Sequence, residues 1–134
     1  MTRKAKNLKV TECHDIIFEE FSHFKEFRPI NTIPMTSILM SSFAVFALKE
    51  PSLLAFEKEF KVETKRSKNI KNLFRLEKIP SDTQLRDVLD NVDHKQYRAI
   101  FKRLFQYLQR AKTLELFEFM KIMSQYLTEY RTKL

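Results

Sequence analysis

Six cationic side chains between residues 95 and 112 are the groups in this chain best suited to binding a ligand. They are Lys95, Arg98, Lys102, Arg103, Arg110 and Lys112. No acidic residue lies in the same stretch, so their mutual repulsion is uncompensated unless an anion lies nearby. A nucleic-acid backbone is such an anion, because Lys and Arg release its condensed counterions when they neutralise phosphates. The alternative is a solvated face whose partner acids come from elsewhere, such as Glu57, Glu59 or Glu63.

A second basic stretch lies earlier in the chain and carries Lys65, Arg66, Lys68 and Lys71. It overlaps residues 61–67, which hold no large apolar side chain except Val62 and are predicted to form a polar, mobile connector. Cations on such a connector could follow a phosphate backbone without reading its sequence. A solvated loop without a ligand is the alternative.

A helix start is encoded at residues 79–84. Pro80 biases Ile79 away from the helical region of the backbone. Ser81, followed three residues later by Gln84, forms a capping-box pattern in which each side chain satisfies a backbone N–H of the other. The pattern predicts a helix that begins at Asp82.

This helix could be the second helix of a helix-turn-helix. It would then present Thr83, Gln84 and Arg86 to base edges in the major groove. Two features argue against this hypothesis. The segment between the two helices, residues 76–81, exceeds the usual three or four residues, and three acids on the helix would repel phosphates. The acids are Asp82, Asp87 and Asp90. The alternative is a short structural helix whose capping residues explain the pattern.

The side chains that could support catalysis are scattered along the chain. The three histidines are His14, His23 and His94. Cys13 and its neighbour His14 would point to different faces of one helix, which is unlike the spacing of a zinc site. Cys13 also lacks any accompanying oxyanion or orienting motif, and Asp87 and Asp90 sit beside Arg86 as ordinary ionised acids. We therefore expect a non-enzyme with no metal, no cofactor and no small-molecule substrate.

The elements that must position the basic side chains are helices, because apolar residues recur with a period near 3.6 nearly throughout. The sequence predicts an all-α fold: a compact bundle of about six or seven helices, with the helix-turn-helix-like pair as an option within it. Helices are expected at residues 12–27, 36–49, 52–60, 68–75, from residue 82, from a cap at Asp93 to about residue 112, and at 114–132.

Two helices carry the clearest apolar stripes. The sixth is expected to bury one face, made of Tyr97, Ile100, Phe101, Leu104, Phe105 and Leu108. The last has a stripe of Leu116, Phe117, Met120, Met123 and Leu127. If the chain is truncated, the packing partner of this last stripe would be missing.

Length and charge bound the remaining possibilities. The 134 residues, 43% of them hydrophobic, predict one helical domain at residues 12–134 after a basic arm at residues 1–11. The net charge of +8 makes polyanions the first partners to consider. The longest apolar stretch, residues 35–48, is shorter than the roughly 20 residues of a spanning helix, so we expect a buried helix and no membrane partner.

Two residue types are informative by their scarcity. The chain contains no glycine, which excludes the P-loop, the dinucleotide-binding turn and the nucleophile elbow. Its one cysteine cannot form an internal disulfide and suits a reducing cytoplasm.

Three segments, in matching order and spacing, resemble the N-terminal region of bacterial insertion-sequence transposases of the DDE class. The most specific is Ile-Pro-Ser-Asp-Thr-Gln-Leu-Arg-Asp-Val-Leu-Asp at residues 79–90. The others are Phe-Ala-Val-Phe-Ala-Leu-Lys-Glu-Pro-Ser-Leu-Leu-Ala-Phe at 43–56 and Leu-Gln-Arg-Ala-Lys-Thr-Leu-Glu at 108–115. The resemblance covers residues 35–119, and the family usually has glycine where this chain has Arg75 and Ala111.

The resemblance implies a function for the cations. In that family a strand ending in Asp-Gly-Thr follows this region and supplies the first of three metal-binding carboxylates, but this sequence has no such segment. We therefore expect a remnant or truncated transposase that binds double-stranded transposon-end DNA without cleavage, in the nucleoid of the bacterial cytoplasm. The alternative is a protein-interaction module or inhibitor that pairs with an intact transposase or with itself. A degenerate product without a function is a third possibility.

Overall fold

The computed structural model describes residues 8–29, 33–113 and 118–133, and these ranges contain seven α-helices and no strand. The helices are α1 (Val10–Ser22), α2 (Met35–Ala47), α3 (Leu53–Phe60), α4 (Lys65–Phe74), α5 (Asp82–Asn91), α6 (Tyr97–Arg110) and α7 (Glu118–Thr132). A 3-10 helix, His94–Gln96, leads into α6 and is capped by Asp93, whose carboxylate accepts the Lys95 N–H. The all-α prediction is confirmed.

Helix α2 forms the centre of the bundle. Its side chains are apolar around most of the circumference, and α1, α4 and α5 all pack on it. Ile38, Leu39 and Met40 are fully buried, as expected for a helix without a polar face. The buried hydroxyls of Ser41 and Ser42 donate to carbonyls one turn earlier, so neither is left unpaired. Residues 35–48 are therefore mostly a core helix, as predicted.

Helix α5 begins where the capping-box pattern predicts. Ser81 Oγ accepts the Gln84 N–H at 3.2 Å, and Gln84 Oε1 accepts the Ser81 N–H at 3.0 Å. A third group contributes from another helix, because Glu57 Oε2 accepts the Asp82 N–H at 2.8 Å. An ionised carboxylate at the first turn of a helix also interacts favourably with the helix dipole. Glu57 thus ties α3 to the start of α5.

The polar connector is shorter than predicted. Helix α4 already starts at Lys65, because Thr64 caps it by accepting the Ser67 N–H at 3.0 Å. Ser67 was expected in a mobile loop, yet it is fully buried, and its hydroxyl donates to the Phe60 carbonyl. A cap and one buried hydroxyl define this helix start, and neither produces an apolar period in the sequence.

The first helix is also shorter than predicted, since α1 ends at Ser22 and not at Phe27. Phe24 leaves the helical path and packs by its ring edge against Phe21 and Tyr97. The Lys25 N–H donates to Gln96 at 2.9 Å, which holds this segment beside the start of α6. Tertiary contacts with a distant element therefore end the helix before Pro29.

The predicted apolar stripe of α6 is only partly buried. Ile100 is buried, whereas Phe101 is 69% exposed and Phe105 52% exposed. Tyr107, which lies outside the predicted stripe, is buried against α1 instead. Among the larger helices described, α6 packs mainly on α1, so only the side of the stripe that faces α1 is covered.

Three non-glycine residues adopt left-handed backbone at helix ends. They are Lys49, Arg75 and Lys112, with φ of 56°, 55° and 55°. At the end of α4, the Arg75 N–H donates to Asn72 and the Leu76 N–H reaches back to Lys71 at 2.8 Å. Arg75, at a position where the resembled family usually has glycine, therefore keeps the left-handed conformation. At the second such position Ala111 is right-handed, and the next residue, Lys112, is left-handed instead.

Helix α7 presents the side chains of residues 122–132 to solvent. Every residue from 122 to 133 is exposed, including Met123 and Leu127 of the predicted stripe. Leu116, Phe117 and the side chain of Met120 lie outside the described part of the chain, as do residues 1–7 of the predicted basic arm. Among the helices that the structure describes, none is long and apolar enough to cross a membrane.

Candidate nucleic-acid interface

Five of the six predicted cations at residues 95–112 are exposed and make no ion pair within the described ranges. They are Lys95, Arg98, Lys102, Arg110 and Lys112. Arg98 and Lys102 are one turn apart on α6, about 40° from each other around the helix axis. Their side chains therefore project in nearly the same direction, away from the buried face that contains Ile100. We call Arg98 and Lys102 the basic pair.

Arg103 differs from the other five cations because it is already neutralised. Its guanidinium donates to Glu20 at 3.0 Å and to Glu19 at 2.9 Å, both on α1. The hydrogen bonds that Arg103 donates, first to Glu20 and then to Glu19, raise the pKa of Arg103. Arg103 lies on the side of α6 that faces α1, so the acids reach it across the helix interface. The prediction that it is available for phosphate is not supported by this geometry.

A polar cleft of about 310 Å³ lies between α1 and α6, next to Arg103. Tyr107 is bonded in it to Glu12 through its hydroxyl, which also accepts the Lys9 N–H at 2.9 Å. The hydrogen bond to Glu12 raises the pKa of Tyr107. Glu12 lines the cleft together with Arg110 and offsets part of the positive potential at this end of α6, whereas Asp15, also in the lining, is paired with Arg75. Positive charge without a nearby acid is therefore greater at the basic pair than at the Arg110 end of α6.

The second basic stretch lies on helix α4 and not on a connector. Arg66 pairs with Glu59 and with Glu50 at 3.4 Å, and its guanidinium lies over the Phe60 ring. Lys71 pairs with Glu63 at 3.0 Å. Two of the acids considered as partners for α6 therefore neutralise α4 instead.

Lys65 and Lys68 remain exposed on α4 without an ion pair in the part of the chain described. Helix α4 packs mainly on α2, whereas α6 packs mainly on α1. The two sets of cations thus sit on helices that do not pack substantially on each other. We treat them as separate surfaces.

Helix α5 has few free groups to present to bases. Gln84 is occupied in the capping box, and Arg86 lies 3.9 Å from Asp82 on the same helix. Thr83 is exposed. The main packing partners of α5 are α2 and α3, and α4 packs mainly on α2; residues 75–81 separate α4 from α5. The compact pair of a helix-turn-helix is therefore not formed by α4 and α5.

Cys13 and His14 point into different surroundings on α1. The His14 ring lies between Phe43 and Phe74, with Nδ1 3.4 Å from the Leu73 carbonyl oxygen. Burial, with a smaller effect of Glu12, raises the pKa of the Cys13 thiol and so opposes formation of the nucleophilic thiolate. Within the described ranges, His, Cys, Asp and Glu side chains form no group of three or more that could hold a metal ion.

Residues 79–90, which carry the most specific part of the transposase resemblance, fold as the buried entry to α5 followed by that helix. Ile79 and Pro80 are buried, and the capping box accounts for Ser81 and Gln84. The resemblance itself remains a prediction. The chain matches no protein-family model, and no curated protein or solved structure is significantly similar to it.

Proposed function

We propose that this chain binds double-stranded DNA through the exposed cations of α6, with the basic pair at the centre of the contact. The observation that carries the proposal is the position of Arg98 and Lys102, which are exposed, adjacent and without an acidic partner in the described structure. Such a pair is repulsive in the free protein and is relieved when phosphates replace its counterions.

The proposed contact is with the phosphate backbone. Lysine and arginine side chains on an exposed helix face fix the position of a protein on DNA without reading base edges. Of the α5 side chains that could read bases, Gln84 is engaged in the capping box with Ser81 and Arg86 lies beside Asp82, which leaves Thr83 exposed. We therefore expect α6 to supply most of the affinity and α5 to supply little discrimination between sequences.

The biological role proposed for DNA binding rests on the resemblance of residues 79–90 to the N-terminal region of DDE transposases. We propose that residues 35–119 act as the N-terminal region of a DDE transposase and occupy transposon-end DNA in the bacterial nucleoid. The net charge of +8 supports a polyanionic partner, and the absence of glycine leaves no Asp-Gly-Thr segment in this sequence. The preference for transposon ends is supported by the resemblance alone.

Salt dependence of duplex binding tests the role of the basic pair. If the α6 face neutralises about four phosphates, the log–log slope of affinity against salt should be about −3.6. Lys102→Ala should weaken binding to every duplex alike and reduce the magnitude of the slope by about 0.9. Fluorescence anisotropy at several salt concentrations measures both quantities.

Lys58→Ala is the matched control for this experiment, because Lys58 is exposed on α3 and the substitution changes the net charge equally. It should leave the slope near that of the parent. Equal effects of the two substitutions would mean that net charge alone attracts DNA and that α6 is not a localised DNA-binding surface. Unchanged binding in Lys102→Ala would refute the contact directly.

The exposed apolar side chains of α7 favour a second candidate function, which is self-association. Tyr126 is 73% exposed and Leu127 64% exposed. Ile122, Met123 and Tyr130 are also exposed and extend this apolar surface along the helix. An amphipathic helix normally buries such a stripe. Sedimentation of the purified chain at tens of micromolar tests this function, and a strict monomer would contradict it.

A further inference from the structure

An apolar groove of about 380 Å³ opens between α1, α2, α5 and α6. Its floor includes Ile17 and Ile100, and its walls include Leu89 and Leu104. Ser42 and Tyr97 are the described lining residues that carry a hydroxyl, and that of Ser42 is bonded to the Leu39 carbonyl. The other lining residues are apolar, so the surface of the groove suits an apolar side-chain ridge.

Aromatic side chains stand exposed along this groove. Phe46 of α2 is 73% exposed and Phe101 of α6 is 69% exposed, and both line it. Phe105, one turn beyond Phe101 on α6, is 52% exposed. Single exposed apolar residues are ordinary, but adjacent ones beside an apolar groove mark an interaction surface. We call the groove and these three side chains the α6 groove.

The same chain carries a ridge of matching chemistry on α7. Ile122, Tyr126 and Tyr130 recur every four residues, and Met123 and Leu127 flank them on the same face. All five side chains are exposed. This spacing is the one by which an amphipathic helix inserts its anchors into a groove on a partner.

We propose that α7 of one copy docks into the α6 groove of a second copy, and that the second copy returns the same contact. This inference rests on the self-association proposed above and names both surfaces of the interface. A reciprocal exchange is self-complementary, because each copy contributes one ridge and one groove, and it closes at two copies by two-fold symmetry.

The exposed area is sufficient for such a dimer. With about 200 Å² for each aromatic side chain, Phe46, Phe101, Phe105, Tyr126 and Tyr130 together expose roughly 650 Å² per copy. The aliphatic side chains of the α7 ridge add to this and bring it to the order of the ~800 Å² that each partner buries in a stable interface. In the single chain both surfaces are open to solvent, so α7 does not fill its own groove.

Two substitutions separate the groove from the ridge. Phe101→Lys places a charge in the groove and leaves α7 intact, and Leu127→Glu places a charge on the ridge and leaves the groove intact. Both positions are exposed, so helix content by circular dichroism should equal that of the parent. Each variant alone should raise the dimer dissociation constant at least tenfold in sedimentation velocity. Val62→Lys, at an exposed apolar position between α3 and α4, should dimerise like the parent.

Mixing the two variants distinguishes exchange between copies from docking within one chain. An equimolar mixture retains one intact ridge and one intact groove, so exchange predicts a mixed dimer weaker than the parent dimer. A mixture that stays monomeric would overturn the exchange. A parent that is monomeric at tens of micromolar would reject self-association as a whole. A parent dimer unaffected by both substitutions would keep self-association and reject the α6 groove as its site.

A cross-linking measurement tests exchange between copies against docking within one chain, without changing the charge of either surface. In a Cys13→Ser background, chains with Phe101→Cys are mixed with size-tagged chains carrying Leu127→Cys and then oxidised. Exchange predicts a covalent product of mixed size as the main species. Absence of that product from a dimeric sample would place the interface elsewhere.

Discussion

Lys102 and Arg103 are neighbours in sequence, yet their surroundings give them different roles. Lys102 projects to solvent without an acidic partner in the described structure, whereas Arg103 bridges α6 to two glutamates of α1. The first can exchange its counterions for phosphates without breaking a protein contact. The second would have to leave Glu19 and Glu20 unpaired, so it serves the packing of α1 on α6.

Arg103→Ala should therefore affect folding and leave DNA binding nearly unchanged. The pair is partly exposed, so its loss should lower the unfolding free energy by less than about 1 kcal/mol, and more at low salt than at high salt. Thermal unfolding at two ionic strengths measures this effect, with Lys102→Ala as the control that keeps stability. A salt slope of DNA binding that falls in Arg103→Ala as much as in Lys102→Ala would contradict the assignment.

Glu57 makes stability dependent on acid pH. Hydrogen bonds from Lys61 and from the Asp82 N–H lower its pKa below the ordinary 4.5. Because the folded state favours the ionised form, the stabilisation is present above pH 4.5 and is lost as pH falls through the lower, folded pKa.

Glu57→Gln should lower the unfolding free energy by about 1 kcal/mol at neutral pH, since it weakens the hydrogen bond to α5. The difference from the parent should vanish once Glu57 is protonated in the folded parent. Urea unfolding from pH 7 to pH 3 measures it, and Glu129→Gln on exposed α7 provides the control. A difference that grows towards acid pH would have the wrong sign.

The sequence identified the cations of α6 but not the partner of Arg103. Glu20 lies 83 residues away and comes close only through packing of α1 on α6. Charge counting within one helix detects uncompensated cations along that helix and says nothing about acids on a neighbour. The candidate acids named from sequence pair with α3 and α4 for the same reason: proximity there is set by the fold.

At the scale of elements, the capping box at Ser81 defines the start of α5. Ser81→Ala removes the acceptor of the Gln84 N–H and should lower the unfolding free energy by about 1 kcal/mol. That loss corresponds to a fall in melting temperature of roughly 3–6 °C for a domain of this size. Thr83→Ala, at the exposed second position of α5, should change it little.

DNA binding provides the second readout for α5. Ser81→Ala, Gln84→Ala and Arg86→Ala should leave the affinity for duplex DNA unchanged once folding is confirmed. A loss of roughly 1–3 kcal/mol for Arg86→Ala on one preferred sequence, with little effect elsewhere, would show that α5 reads bases. The assignment of α5 to a structural role would then be wrong.

Helices were predictable where the sequence carries both an apolar period and a cap. The start of α5 meets both conditions and was predicted to the residue. The start of α4 has a cap at Thr64 and a buried hydroxyl at Ser67 but no apolar period, so it was assigned to a connector. For Phe101 and Phe105 the error is the opposite one: the apolar period predicted burial, but both side chains are exposed. A period identifies an apolar face and does not show whether a neighbouring helix covers it.

At the scale of the whole molecule, we predict no DNA strand cleavage by this chain. Metal-dependent phosphoryl chemistry needs carboxylates converging on the metal, and in the family that residues 79–90 resemble the first of them belongs to an Asp-Gly-Thr segment that these 134 residues do not contain. Supercoiled plasmid and a labelled transposon end, each incubated with Mg²⁺ or Mn²⁺, should remain intact at concentrations that saturate binding. Nicking that is abolished by replacing a carboxylate of this chain would overturn the prediction.

The left-handed helix ends connect backbone strain to charge. A non-glycine residue in this conformation costs about 1 kcal/mol, and all three such residues, Lys49, Arg75 and Lys112, are basic. A cation at the carboxyl end of a helix recovers part of that loss through the helix dipole. Replacing any of them with glycine would relieve the backbone but remove a positive charge. In this glycine-free chain, a substitution that relieves strain at a turn therefore reduces the attraction for a polyanion.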